Sequence, residues 1–239
     1  MSILCITKII FAASISVLLT ACGGGGGSTA PVDYQLGAAV ANFVTKSTSK
    51  SFLISGLETS GSTTTAAIAG NGVLNYGELA PTTFEGVPAF VKVSSVIGTT
   101  TIAGVDTHWS NSGNIYFDIN YNYLGTDSYQ YATVQSRNVI PRVGHIGDSG
   151  LVYTVNTFSS SDKNTLTGSF ALGYSLEIDS SSAAILKLTT TSFGISGNVK
   201  SKVVENYRIL PAGSIDLLSI SSVAYSEPPG RTLTYLYSF

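Results

Sequence analysis

The sequence is short of charge, of cysteine and of histidine, and each shortage closes off a class of function. Charged residues make up 11% of the chain, with 12 basic against 14 acidic side chains. So few cations make no basic stripe, which argues against nucleic acid as a partner. The two cysteines, Cys5 and Cys22, both fall in the first 22 residues. The chain beyond Cys22 therefore has no disulfide and no thiolate to build a zinc centre. The two histidines, His108 and His145, lack the short ligand spacing of a zinc site, even with Asp106 beside the first. No Gly-Lys-Ser/Thr string occurs, which excludes a P-loop. A long hydrophobic run is missing too: the apolar stretch after Lys8 is too short for a spanning helix, which needs about 20 apolar residues.

That stretch has another use. Lys8 is the only charge before Cys22, and it precedes Ile9-Ile10-Phe11-Ala12-Ala13 and then Ile15, Val17, Leu18 and Leu19. A positive start, a short apolar run and small residues at its end match a secretory signal over residues 1–21. Leu19-Thr20-Ala21-Cys22 resembles the lipobox of bacterial lipoproteins. The resemblance implies cleavage between Ala21 and Cys22, lipid on the Cys22 thiol and acylation of the new amino group. It also explains a cysteine left unpaired in an oxidising compartment. One acyl chain holds a protein only marginally, and the three chains of lipoprotein chemistry would make release slow. Residues 22–32 then read as the lipidated cysteine and a linker, since Gly23 to Gly27 and Ser28 have no packing side chain. Such a coil reaches about 15–18 Å. Gly23 stands where an aspartate would suggest retention in the inner membrane. By resemblance to Gram-negative lipoproteins, the expected location is the outer membrane, facing the periplasm or the surface.

Beyond the linker, residues 33–239 read as a single all-β domain with a short N-terminal helix. Leu36, Val40, Phe43 and Val44 recur at helical spacing after Asp33, a candidate cap, and predict a helix over about 34–45. From Ser51 the period becomes two. Leu166, Phe170, Leu172, Tyr174, Leu176 and Ile178 share one face with Gly168, and Leu233, Tyr235, Tyr237 and Phe239 share another. Alternation also runs through 115–123, which predicts one continuous strand there. Turns are expected at Gly70-Asn71-Gly72, at 111–114, 125–127, 161–164, 179–181 and 196–198, at Pro211-Ala212-Gly213 and at Pro228-Pro229-Gly230. The pattern predicts roughly ten strands, mainly an antiparallel meander, as a curved sheet, half-barrel or barrel, with a two-sheet sandwich as the alternative. The body resembles the uncharacterised β-rich lipoproteins common in proteobacteria. The resemblance rests on the lipobox, the glycine run, the short helix and Ser/Thr-rich strands. Local marks are Thr83-Phe84-Glu85-Gly86, Gly147-Asp148-Ser149-Gly150 and Asn206-Tyr207-Arg208-Ile209. No activity comes with it.

Candidate chemistry is sparse. Gly147-Asp148-Ser149-Gly150 resembles the tetrapeptide around the nucleophile of chymotrypsin-like proteases, but neither histidine has that family's context. Turn residues are the plainer reading. Asp118, Asn120 and Asn122 have the spacing of the first ligands of a calcium loop, yet Tyr123 and Tyr129 stand where it needs glycine and glutamate. The polar face of a strand is expected instead. Tyr116, Tyr121, Tyr123, Tyr129 and Tyr131 crowd one hairpin, and Tyr207, Tyr225, Tyr235 and Tyr237 another region. They suit a binding face for sugars, peptides or lipids, and equally a strand core.

The expectation is therefore a non-enzymatic envelope lipoprotein that scaffolds, or binds an apolar ligand or an envelope protein, with no cofactor, no metal and no catalytic residue. Its one assigned site is lipidation at Cys22, which makes the membrane its partner. Two alternatives stand beside it. One is an integral outer-membrane barrel, suggested by the terminal alternation ending in Phe239. The other is a serine hydrolase using Ser149.

Overall fold

The computed structural model describes residues 31–138, 140–180, 182–225 and 230–239. Cys22, the signal and the glycine run lie outside these, as do Pro228 and Pro229 of one expected turn. A helix, α1 (Leu36–Thr45), precedes twelve strands. They are β1 (Thr48–Ser60), β2 (Thr63–Phe84), β3 (Val87–Ile102), β4 (Val105–Phe117), β5 (Tyr123–Asp127) and β6 (Tyr131–Arg137). The second half comprises β7 (Ser149–Phe158), β8 (Leu166–Ser180), β9 (Ala183–Phe193), β10 (Val199–Ile209), β11 (Ile215–Tyr225) and β12 (Arg231–Ser238). Each strand pairs antiparallel with its neighbours in sequence, and β1 closes on β12 through Ile54↔Tyr237 and Gly56↔Tyr235. The meander is a closed barrel, which removes both sheet edges.

Parity along the strands separates the two faces of the wall. Phe52, Ile54, Ile68, Tyr174, Leu176, Leu186, Val203, Tyr207, Ile209, Tyr235 and Tyr237 are all buried in one core that also holds Tyr34, just before the helix, and Leu36, its first residue. This is the inward face. A one-residue slip would turn every such side chain outward, so the aromatic and aliphatic set fixes the register. The outward face carries Ser, Thr and Asn, and charges such as Lys187 and Glu177, which pair at 2.5 Å. Scattered among them are exposed Leu53 and Ile97.

Three expected turns fall inside strands or at a strand end; of a fourth, Asp179 and Ser180 end β8 and Ser181 lies outside the described residues. Gly70-Asn71-Gly72 lies within β2 and residues 111–114 within β4. Those glycines serve close approach rather than reversal: a Cβ on Gly72 would meet the Phe52 ring at 2.5 Å, and one on Gly113 the Ser128 Cβ at 2.2 Å. Residues 125–127 end β5, and the chain reverses just after them. Conversely, the strand expected over 115–123 is broken. Asp118 Oδ1 accepts hydrogen bonds from the backbone N–H groups of Asn120 (2.8 Å) and Asn122 (2.9 Å), and Tyr121 takes φ +64°. An aspartate turning the chain through its own side chain outcompetes the apparent alternation.

The helix closes one end of the barrel. Asp33 does not cap it; its carboxylate meets His145 Nε2 at 2.9 Å. The free N–H groups at its start are satisfied instead by loops of the barrel, Gln35 N–H by Pro211 O and Gly37 N–H by Arg142 O, each at 3.0 Å. Asn42 donates to Gly213 O at 2.9 Å. Gly213, at φ +85°, leaves no room for a Cβ, which would stand 2.6 Å from Ala38 Cβ. The expected Pro-Ala-Gly turn is thus both a hairpin and the seat of α1.

Candidate functional site

Two charged side chains on inward strand faces, Lys92 and Glu205, lie near the C-terminal end of α1. Lys92, on β3, is 1% exposed. Its ammonium donates to the carbonyl oxygens of Phe43 (2.6 Å), Val44 (3.1 Å) and Lys46 (2.7 Å). It thereby fills the C-terminal carbonyls that a helix leaves open, where the macrodipole favours a cation. The same nitrogen stands 5.3 Å from the Phe43 ring centroid and 5.5 Å from that of Tyr76. Burial pulls the Lys92 pKa down to about 8.

Glu205 is the other. It follows Val203 and precedes Tyr207 on the inward face of β10, and burial raises its carboxyl above the usual range against a hydrogen bond from Tyr207 Oη at 2.8 Å. Burial, reinforced by the charge of Glu205, also raises the phenols of Tyr76 on β2 and Tyr153 on β7. Phe43 of α1 bridges β2 and β10 here, edge-on to Tyr76 (5.4 Å) and to Tyr207 (5.9 Å). Tyr123 stacks on Tyr153 at 4.8 Å. A barrel of about eight strands is filled by its own side chains, whereas a wider one leaves a lumen. In this twelve-stranded barrel, Phe43 of α1 and the inward rings of Tyr76 and Tyr207 line part of the inner face. A cleft of about 70 Å³ lies between α1 and strands β1, β2, β10 and β11, with Tyr76 and Tyr207 in its lining and the Lys50–Asp216 ion pair (2.5 Å) beside them.

The outer wall has a separate feature. On β12 and β1 to β4 an open depression of about 1030 Å³ is lined by Leu53, Val73 and Ile97 with Asn71, Thr99 and His108. Phe52, Gly72, Gly98 and Trp109 line it too, and stand in one cross-strand row. The two rings lie over the two glycines, 6.3 Å apart and nearly parallel. Trp109 Nε1 donates to Thr100 Oγ1 at 2.7 Å, so the tryptophan belongs to the inner face of the wall and not to a loop.

The tip of the β2–β3 hairpin folds over the outside of β4 to β7. Phe84 stacks on Tyr116 at 4.3 Å and packs beside Tyr131. Glu85, at the turn, accepts from Tyr131 Oη and pairs with Lys163 of the β7–β8 loop. These bonds, Lys163 first and then Tyr131, hold the Glu85 carboxyl below its usual pKa. The crowded tyrosines therefore divide. Tyr116 and Tyr131 lie under this clasp, Tyr123 faces the lumen, Tyr121 leans on Phe90 at 6.0 Å, and Tyr129 is exposed.

Residues singled out from the sequence for chemistry are not brought together. Ser149 opens β7 and pairs with Ser175. His145, in the preceding loop, has Asp33 at Nε2 and Asp148 at 3.7 Å from Nδ1, so neither ring nitrogen is turned to Ser149. Asp148 accepts the His145 backbone N–H at 2.8 Å, as a turn aspartate does. His108 is bonded to Thr99 at 2.8 Å and Asp106 to Thr101 at 2.6 Å, both on the outer face of β4, remote from the His145 loop. No group of three metal-ligating side chains occurs among the described residues. Asp118 spends its oxygens on Asn120, Asn122 and Arg137.

Lys92 and Glu205 are not evident from the sequence alone. The signal for each is a charge at the parity of an apolar strand face: Phe90-Lys92-Ser94-Val96, and Val203-Glu205-Tyr207-Ile209. No family model matches the chain, and no curated protein or solved structure matches it.

Proposed function

We propose that the chain is a lipid-anchored, non-enzymatic protein of the cell envelope whose barrel folds in water and holds a small, largely apolar ligand within its lumen. The observation that carries this is the polarity of the wall. Membrane barrels turn an apolar band to lipid and a polar face to the lumen. Here aromatic and aliphatic side chains face inward, and Ser, Thr, Asn and the Lys187–Glu177 pair face outward. A lysine near the bilayer midplane costs about 2–4 kcal/mol, which a lipid-facing wall would avoid. The lipobox-like Leu19-Thr20-Ala21-Cys22 supplies the anchor in this reading, and the barrel supplies the binding chamber.

Outward Leu53 and Ile97 favour a second reading as an integral outer-membrane barrel. Those side chains are interrupted by Asn71, Thr99 and Ser51 in the same rows, which is a poor lipid surface.

Trp109 is the only tryptophan, and its ring is on the inner face. A lipophilic fluorophore such as N-phenyl-1-naphthylamine should enter the lumen, quench Trp109 emission by energy transfer and saturate near one molecule per chain. Signal that rises without saturation, or none, would contradict a luminal site.

A further inference from the structure

The depression on the outer wall is large and without charge. Ser238, Leu53, Asn71, Thr99 and His108 form one outward row across β12 and β1 to β4. Ser51, Val73, Ile97 and Ser110 form the next row. Neighbouring strands lie about 4.8 Å apart, so the longer row measures roughly 19 Å. The depression of about 1030 Å³ follows these two rows, and no Lys, Arg, Asp or Glu lines it. Ion pairs of the wall stand elsewhere, with Lys187–Glu177 and Arg208–Asp179 on β8 to β10. Gly72 and Gly98 face each other in its lining, where a Cβ would meet a carbonyl oxygen of the facing strand at 2.4 or 2.7 Å. Glycine within a strand marks such a close approach or a bend.

A matching occupant is neutral, partly apolar and rich in hydrogen-bonding groups. Leu53 is 68% exposed and Ile97 59%, so their methyl groups are available beside the hydroxyls of the same rows. Thr99 Oγ1 holds His108 Nδ1 at 2.8 Å, which leaves Nε2 for a ligand. Two strands away in that row stands the exposed carboxamide of Asn71, which both donates and accepts. A sugar offers the counterpart of this mixture: C–H faces for the aliphatic side chains and a rim of uncharged hydroxyls for the polar ones. A lipid surface is a poorer match, because it would strip water from Asn71, Thr99 and His108 and bond none of them. An extended peptide finds no edge to pair with, since the barrel is closed.

We propose that this depression binds a neutral oligosaccharide, with Asn71 and His108 bonding its hydroxyls and Leu53, Val73 and Ile97 against its C–H faces. The volume is that of a small-molecule site, which spans about 300–1,000 Å³. This site is separate from the lumen and does not depend on the luminal reading.

The test uses the full chain with maltohexaose, cellohexaose and N-acetylchitohexaose, followed by calorimetry and by the emission of Trp109, which lines the depression. At least one of these should bind near one molecule per chain and shift that emission. The cationic glucosamine hexamer and the anionic hexagalacturonate should bind at least tenfold more weakly than the best neutral sugar. Ile97→Glu places a charge in the depression and should weaken the neutral sugar at least tenfold. Ile178→Glu, at a site 72% exposed on β8, should leave it unchanged. Refusal of all three neutral sugars overturns the inference, as does equal or tighter binding of a charged one. Binding that survives Ile97→Glu overturns it too. Should Ile97→Glu fail to fold, Asn71→Ala and His108→Ala decide: full affinity in both variants overturns the assignment. A dimer, or adhesion to phosphatidylethanolamine vesicles, that Ile97→Glu abolishes while no sugar binds would give this face to a second copy or to lipid instead. None of these outcomes bears on the naphthylamine experiment.

Discussion

The ammonium of Lys92 on β3 stands 2.6 Å from the carbonyl oxygen of Phe43 in α1, and this bond ties the barrel wall to the helix that closes it. Two further carbonyls, of Val44 and Lys46, share the same nitrogen. Hydrogen bonds to a charged group contribute about 1.5–3 kcal/mol each, and desolvation of the buried ammonium offsets part of that. Lys92→Met keeps the volume and removes all three bonds. We expect it to lower stability by about 2–4 kcal/mol in urea denaturation. It should also expose residues 31–47 to protease before the strands. Cleavage and stability equal to wild type would show that the helix is held by its apolar contacts alone.

Glu205 gives stability a pH dependence of known sign. Burial raises its carboxyl above the ordinary 4.5, so the folded chain keeps this proton at pH values where the unfolded chain has lost it. Stability from this group is complete below 4.5 and is lost as pH rises through the folded-state value. Glu205→Gln removes the titration. The variant should therefore melt above wild type at pH 7 and close to it at pH 4. A constant difference between the two pH values would contradict a buried, proton-retaining Glu205.

Gly72 is held by space and not by turn geometry. A Cβ there would lie 2.4 Å from the Ile97 carbonyl oxygen and 2.5 Å from the Phe52 ring. Because one obstacle is backbone, the strand itself must move. Gly72→Ala should cost about 1–3 kcal/mol, as overpacking does. It should also shift Trp109 emission, since Phe52 lies against that ring. An unchanged spectrum and stability would contradict the close packing of this row.

Much of the fold is legible in the sequence, and the remainder is hidden for physical reasons. Period-two alternation identifies the antiparallel meander, and the inward set Leu233, Tyr235 and Tyr237 stands where alternation places it. Helical spacing finds α1 to within two residues. Glycine misleads in Gly70-Asn71-Gly72 because the same residue serves turns and close approach, and only the partner strand tells them apart. Asp118 misleads in the opposite direction: side-chain bonds that make a turn leave the alternation of its neighbours intact. Closure needs the pairing of β1 with β12, a contact between the two ends of the body that no local pattern contains. Lys92 and Glu205 become legible only once the inward parity of each strand is known.

Lipidation of Cys22 has its own test. Cys22→Ser should abolish labelling with radioactive palmitate in cells and leave the precursor uncleaved, because both steps require the thiol. Labelling that persists in the variant would contradict the lipobox reading and leave an ordinary secretory signal.

The central claim is that the barrel folds in water with its apolar face inward. A chain starting at Thr29, purified without detergent, tests it most directly. The claim predicts a monodisperse, β-rich protein by circular dichroism, with cooperative unfolding in urea. A chain that folds only in detergent or lipid, and that migrates on a gel in a heat-modifiable way, would contradict it.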